Sequence, residues 1–185
     1  MSYERLEFLG DAVLDLIIKL RHYEMHSMHE ALVNGLFLGY CSMRYSILQQ
    51  QNSIVKSGAG CAVQQEARGL HLHDFIRASG QLLDAKQASL EAFEKYGGLV
   101  EDALQAGHEY PWPDLLAMAP QKFFSDIVES ILGAIYVDTR GDHAACEVFL
   151  ENLGVMAHMR ALLAGDMETM QPKERLGVAA GKSHA

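Results

Sequence analysis

Acidic residues recur at helical spacing in two separate stretches of the chain. Glu4, Glu7 and Asp11 stand three and four positions apart, which places their side chains on one side of an α-helix. Asp126 and Glu129 repeat the spacing of three positions much later in the chain. Carboxylate oxygens are ligands that Mg²⁺ prefers, and a pair of such ions can activate water and stabilise a leaving oxygen. The pattern therefore indicates a magnesium site that performs phosphoryl chemistry.

Spacing alone leaves a second interpretation open. Acidic pairs three or four residues apart are common on solvated helix faces, where they bind nothing. Asp15 continues the first row by another turn, and like charges in one row repel each other unless water or cations screen them. A metal site and an ordinary charged face are both consistent with this pattern.

Both acidic stretches lie on segments with the apolar periodicity of amphipathic helices. The first helix is predicted from Tyr3 to about Glu24, and the later one from beyond Pro120 to about Val137. Other helices are predicted over about Met28–Gln50, Leu70–Ala78, Leu82–Tyr96, Leu99–Ala106 and from an Asp142 cap to Leu153. The tail after Gly165 is polar and is expected to fray. Because no segment alternates with the period of a strand, the sequence predicts an all-α fold.

Composition limits the class of protein. The chain has 185 residues, 49% of them hydrophobic, enough for one domain with a buried core. No apolar run is long enough to cross a bilayer and no secretory signal is visible, so we expect an intracellular protein without membrane contact. Three widely spaced cysteines, Cys41, Cys61 and Cys146, are expected to be reduced packing residues. The net charge of −9 is the wrong sign for binding nucleic acid by electrostatics alone, so an RNA ligand would need metal, a basic patch or other domains.

Three motifs stand out along the chain: Glu4-Arg-Leu-Glu-Phe-Leu-Gly-Asp-Ala-Val-Leu14, Ala31-Leu-Val-Asn34 and Lys122-Phe-Phe-Ser-Asp-Ile-Val-Glu-Ser-Ile-Leu-Gly-Ala-Ile-Tyr-Val-Asp138. In sequence and in order, they resemble the motifs of the ribonuclease III family. The resemblance implies the all-α ribonuclease III endonuclease fold, a helical bundle with four carboxylates at a cleft. It also implies cleavage of double-stranded RNA with Mg²⁺, for which Mn²⁺ can substitute.

Site residues follow from the same resemblance. The positions at which the family has its metal-binding catalytic carboxylates hold Glu7, Asp11, Asp126 and Glu129. Lys122 matches a lysine that Dicer-type members place near the scissile phosphate, and Asn34 matches an asparagine near the same site. Lys122 could equally be a solvated lysine at a helix start, and Asn34 a capping or packing amide.

Two glycines suggest how the acidic helices meet. Gly10 and Gly133 lie inside the predicted helices close to the carboxylates, where glycine costs about 1 kcal/mol relative to alanine. Close packing of the two helices, backbone against backbone, would offset that cost. We therefore predict that these glycines bring the two acidic pairs together.

Further stretches resemble the second ribonuclease III domain of fungal Dicer-like proteins. They are residues 107–116, the two phenylalanines before Ser125, and residues 171–177, whereas residues 53–106 match only loosely. The partner implied is a second ribonuclease III domain, either in a homodimer or within one Dicer-like chain, and the product is a duplex with two-nucleotide 3′ overhangs. Residues 1–165 are predicted to form the ribonuclease III domain, shortened at its N-terminus, and residues 166–185 a polar tail.

Two rival functions remain at this stage. One is a ribonuclease III-like module without catalysis that binds RNA or dimerises, and the other is a phosphohydrolase for small substrates. Retention of all four carboxylates argues against the first, because those charges destabilise their own helices. The pairs His22/His26 and His71/His73 lack a third ligand and are expected to be surface or packing residues, and Trp112 is expected to anchor a loop in the core.

Overall fold

A helical body with one β-hairpin makes up the computed structural model, which describes residues 2–21, 26–57, 60–165 and 167–182. The elements within these ranges are α1 (Tyr3–Arg21), α2 (His26–Val33), α3 (Gly35–Arg44), β1 (Ser46–Ser57), β2 (Gly60–His71), a 3₁₀ turn (Leu72–Phe75), α4 (Gln81–Ala106), α5 (Trp112–Met118), α6 (Phe123–Asp138), α7 (His143–Leu153), α8 (Val155–Ala164) and α9 (Pro172–Lys182). The all-α class is confirmed. Among these described helices, not one has the length and apolarity needed to span a membrane.

Helices α1 and α6 pack with their backbones in contact. A Cβ atom added at Gly10 would lie 1.7 Å from the carbonyl oxygen of Glu129, and one added at Gly133 would lie 2.2 Å from that of Leu6. Neither helix could hold any other residue at these points without moving apart. The predicted role of the two glycines is confirmed.

The core lies beneath this helix pair. Helix α3 is buried along most of its length, including Phe37 and Met43, and it packs against α6 through residues such as Phe124. Cys41 and Cys146 are buried free thiols, which confirms packing as their role. The side chain of Cys61 lies outside the described residues.

The hairpin corrects two predicted helices. The helix expected over Met28–Gln50 is divided at Asn34 and ends at Arg44, and the helix expected over Leu70–Ala78 is replaced by the end of β2 and a 3₁₀ turn. Strands β1 and β2 pair antiparallel, from Ser46 opposite His71 to Ser57 opposite Gly60. The overlooked signal was the glycine-containing break at residues 58–60 between two short runs that contain β-branched residues, which is typical of a hairpin.

Helix α4 corrects another prediction. The two helices expected to stop and restart at Gly97-Gly98 form one continuous helix from Gln81 to Ala106. A Cβ at Gly97 would lie 3.0 Å from the ring of Phe93, whereas one at Gly98 would contact nothing within 4 Å. Gly97 therefore makes room for an aromatic ring rather than ending the helix. Gly107, in the left-handed conformation at φ 70°, ends it as predicted.

The segment after Gly165 is more ordered than the expected frayed tail. It contains helix α9, and its preceding residues pair with the loop before α5. The indole Nε1 of Trp112 donates a hydrogen bond to the carbonyl oxygen of Thr169 at 2.9 Å, and the indole is buried. Trp112 is therefore the predicted loop anchor. Whether a domain boundary falls at residue 165 stays a prediction.

Candidate metal centre

Three of the predicted carboxylates converge where α1 crosses α6. Glu7, Asp126 and Glu129 each place one carboxylate oxygen so that the three oxygens lie within 4.8 Å of one another. We call these residues the acidic cluster. All three are partly buried, because the glycine contact holds their helices together next to them. Three oxygen donors at this separation suit a hard divalent cation such as Mg²⁺.

Asp11 lies at the rim of the same site. It is exposed and is not one of the three residues whose oxygens converge. It nevertheless lines a depression of about 430 Å³ together with Glu7, Lys122 and Glu129. The structure thus gathers three of the four predicted carboxylates closely and places the fourth beside them.

The carboxyl group of Glu129 is perturbed by its surroundings. Burial raises its pKa, and the negative charges of Asp11 and then Asp126 raise it further, while Lys122 opposes them. The pKa reaches about 7, compared with an ordinary value of 4.5. The carboxylates therefore need a nearby cation before all of them are ionised at low energetic cost.

This shift predicts how stability depends on pH when divalent ions are absent. The folded chain keeps the Glu129 proton to a higher pH than the unfolded chain does, so the contribution of Glu129 to stability is lost as the pH rises from about 4.5 to about 7. We expect Glu129→Gln to remove that loss. Urea unfolding in EDTA at several pH values measures it, and parallel pH dependences for the two chains would contradict the shift.

Lys122 joins the acidic cluster from the start of α6. Its Nζ lies 2.9 Å from Oε1 of Glu7 and 2.6 Å from Oδ1 of Asp126. The hydrogen bonds to Asp126 and then to Glu7 raise the pKa of the lysine. Although 74% of its side chain is exposed, its charged end is thus paired with two carboxylates rather than simply solvated.

Two other residues near the cluster were not singled out from sequence. The hydroxyl of Ser125 donates to the carbonyl oxygen of Lys122 at 2.7 Å and lies 3.4 Å from Oδ1 of Asp126. Partial burial, followed by the charges of Asp126 and Glu7, raises the pKa of Tyr3 above its ordinary value. Neither residue belongs to a recognisable spacing, so no sequence signal could have identified it.

Asn34 acts as the N-cap of α3. Its Oδ1 accepts a hydrogen bond from the backbone N–H of Phe37 at 2.8 Å, and its Nδ2 donates to the carbonyl oxygens of Glu30 and Ala31. These hydrogen bonds give the Asn34 side chain a capping role, which was one of the two alternatives that the sequence left open. A catalytic role for Asn34, which its match to an asparagine of the family implies, stays a prediction.

A pair of cap substitutions separates the two roles of Asn34. Removing the amide in Asn34→Ala should cost about 1 kcal/mol of folding free energy and leave the duplex-RNA cleavage that the motifs predict close to the rate of the unchanged chain. Asp142→Ala is the matched control, because Asp142 caps α7 through the backbone N–H of Ala144. Urea unfolding and cleavage rates would be measured for both. A much larger loss of cleavage in the Asn34 variant, at equal stability, would indicate catalysis.

The histidine pairs form no metal site in the part of the chain that the structure describes. The rings of His71 and His73 stack with centroids 4.9 Å apart, and Nε2 of His73 lies 3.7 Å from Oδ1 of Asp74. Stacked rings do not direct two nitrogens at one ion, which is consistent with the predicted packing role. His22 and the side chain of His26 lie outside the described residues.

Comparisons with known proteins agree with the motif resemblance. Residues 4–140 match the model of the Ribonuclease III domain. The chain is 38% identical to Dicer-like protein 2 of Coccidioides immitis (strain RS), covering 97% of the chain and 13% of that protein. It is 31% identical to Dicer-like protein 2 of Cryphonectria parasitica, covering 97% of the chain and 14% of that protein. No solved structure matches it. The chain thus spans about 13% of the length of such relatives. Because the domain model matches most of the chain, the chain belongs to the ribonuclease III family.

Proposed function

We propose that this chain is the catalytic ribonuclease III domain of a Dicer-like enzyme and that it hydrolyses phosphodiester bonds of double-stranded RNA with Mg²⁺. The observation that supports this most directly is the convergence of Glu7, Asp126 and Glu129 at the α1–α6 crossing. In a member of this family, three partly buried carboxylates at one point are difficult to explain by fold stability, because their mutual repulsion opposes it.

Each side chain has a distinct part in this proposal. Glu7, Asp126 and Glu129 would hold the ions, and Asp11 would contribute from the rim of the depression. Bound Mg²⁺ supplies a water of lowered pKa and positive charge for the leaving oxygen. Lys122, exposed beside the cluster, offers a further positive charge to a phosphate oxygen.

Binding of the duplex needs positive charge from elsewhere. The chain carries a net charge of −9, and several of its cations, Arg44, Lys122, Arg160 and Arg175, already lie against carboxylates. We therefore assign most RNA affinity to the remainder of the Dicer-like protein and to bound metal. This division predicts weak duplex binding by the isolated chain.

The exposed side of α1 suits a second ribonuclease III domain. Phe8, next to Glu7 in sequence, is 79% exposed. Leu16, about two turns further along α1, is 42% exposed. Large apolar side chains at such exposure beside a polar site are typical of an interface. The partner would be an identical domain or another domain of the same chain, so that each centre cuts one strand.

Cleavage of a long labelled RNA duplex tests the proposal. The chain would be assayed alone and mixed with a second ribonuclease III domain, with Mg²⁺ or with EDTA. We expect metal-dependent fragments that carry 5′-phosphates and two-nucleotide 3′ overhangs. Folded protein that binds structured RNA but never cuts it, in either format, would overturn the proposal in favour of a non-catalytic module. Hydrolysis of small phosphate esters alone would instead indicate a phosphohydrolase.

A further inference from the structure

The ammonium group of Lys122 pairs with two of the three carboxylates that would bind a cation in the acidic cluster. It contacts Glu7 on α1 and Asp126 on α6 at 2.9 and 2.6 Å, and these are two of the three residues whose oxygens converge. The lysine therefore connects the two helices through their carboxylates. Lys122 and Glu7 are 115 positions apart in sequence.

A divalent ion and this ammonium group would compete for the carboxylates of Glu7 and Asp126. Mg²⁺ binds carboxylate oxygens at about 2.0–2.1 Å. An ion bound to Oδ1 of Asp126 would thus lie within about 5 Å of Nζ, since Nζ is 2.6 Å from that oxygen. Two positive charges so close repel each other, and the carboxylate lone pairs that face Nζ are no longer available to the ion.

The side chain of Lys122 can also move away from the two carboxylates. The side chain of Lys122 is 74% exposed. The side chains that it contacts are less exposed, that of Glu7 at 25% and that of Asp126 at 13%. The carboxylates are held by their helices, and the flexible lysine reaches them from solvent. Moving the ammonium group away therefore requires rotation of one side chain and no rearrangement of the backbone.

We propose that Lys122 is an internal cation that neutralises the acidic cluster in the metal-free chain and is displaced when a divalent ion binds. The proposal rests on the metal site assigned under the proposed function. Lys122 then has two positions: paired with Glu7 and Asp126 without metal, and released toward solvent with it. Pairing with Lys122 weakens metal binding. It also stabilises the close arrangement of the carboxylates before an ion binds.

Metal binding by lysine variants tests the competition directly. The affinity of the chain for Mn²⁺ would be measured by titration calorimetry and by the electron paramagnetic resonance signal of free Mn²⁺. Lys122→Met keeps the length and apolar stem of the side chain and removes its charge, and Lys122→Gln is a second, polar replacement. We expect either variant to bind Mn²⁺ about tenfold more tightly, which corresponds to about 1.4 kcal/mol. Lys173→Met, on exposed α9, controls for the change in net charge and should bind as the original chain does.

Thermal unfolding supplies a second readout, which does not involve catalysis. In EDTA, Lys122→Met should unfold at a lower temperature than the original chain, because the cluster has lost its counter-ion. Saturating Mn²⁺ should close or reverse that difference, since a ligand that binds the folded state more tightly stabilises it more. A difference that Mn²⁺ leaves unchanged would indicate an ordinary structural ion pair and overturn the proposal.

The outcomes distinguish this proposal from the function on which it rests. If the original chain binds Mn²⁺, Glu129→Gln weakens the binding, and both Lys122 variants bind equally or more weakly, the competition is wrong while the metal site stands. If no chain binds Mn²⁺, both the competition and the metal site are wrong. Tighter binding in both Lys122 variants, with Lys173→Met unchanged, supports the displacement.

Discussion

Replacing Glu129 by glutamine should reduce Mg²⁺-dependent cleavage of duplex RNA by more than about a hundredfold, the scale on which metal sites respond to loss of supporting groups. The side chain keeps its shape but loses the charge that binds the ion. At neutral pH the same change removes a carboxyl group whose ionisation is opposed by burial and by Asp11. The variant should therefore be at least as stable as the original chain. Loss of activity together with retained or increased stability is the signature of a functional residue.

Single-turnover cleavage rates and urea unfolding curves, collected on the same preparations, provide the measurement. Asp126→Asn should behave in the same way. Glu94→Gln, on the exposed face of α4, is the matched control and should retain full activity. Magnesium-dependent cleavage that survives in Glu129→Gln or Asp126→Asn would show that the acidic cluster is not the catalytic centre.

The second large effect concerns folding. Gly10→Ala should destabilise the domain by about 3 kcal/mol or more, at the upper end of the cost of overpacking, because its Cβ would lie 1.7 Å from a backbone oxygen of α6. A backbone atom cannot rotate away as a flexible side chain can, so the two helices must separate. Since that oxygen belongs to Glu129, any folded fraction should also have lost metal affinity.

Gly98→Ala is the control for this prediction. Gly98 also lies inside a helix, but a Cβ there would contact nothing within 4 Å. Alanine should therefore stabilise α4 by about 0.5–1 kcal/mol, the usual difference in helix propensity. Chemical denaturation of both variants measures the contrast. Equal stability of the Gly10 and Gly98 variants would mean that α1 and α6 are not in backbone contact.

The acidic helices were predictable because local and long-range signals agreed. The apolar periodicity of α1 and α6 fixed which faces are buried, and the glycines beside the carboxylates indicated where the helices could approach. The close approach followed from chemistry alone, because a glycine inside a helix needs a compensating contact. The family motifs then indicated that the two acidic pairs meet.

The hairpin, the continuity of α4 and the order of α9 could not be inferred in the same way. The apolar runs around Ile47 and Ile54 are too short to distinguish helix from strand by period, so the glycine-containing break at residues 58–60 was the main sequence signal for the hairpin. Gly97-Gly98 resembles a helix stop until the ring of Phe93 is seen to occupy the space beside Gly97. The order of the last segment depends on a hydrogen bond from Trp112 to Thr169, which is a contact between distant parts of the chain.

The finer details of the site were equally beyond sequence reasoning. Whether the Asn34 amide caps a helix or faces a phosphate depends on its rotamer, which spacing does not determine. The contact between Lys122 and Glu7 links residues 115 positions apart, and its existence requires knowing how α1 lies against α6. The position of Asp11 at the rim, rather than within the cluster, depends on the same crossing.

The glycine contact between α1 and α6 also limits how the metal preference of the proposed centre could change through mutation. Because main-chain atoms set the separation of the helices, repacking the core elsewhere cannot widen or narrow the site. Ion size can then be accommodated only through the length of the ligand side chains. Exchange of glutamate for aspartate, which withdraws a carboxylate by one carbon–carbon bond of about 1.5 Å, is the smallest step available. In the proposed metal centre, selectivity among divalent ions would therefore depend on the length of the ligand side chains, because the glycine contact fixes the separation of the two helices.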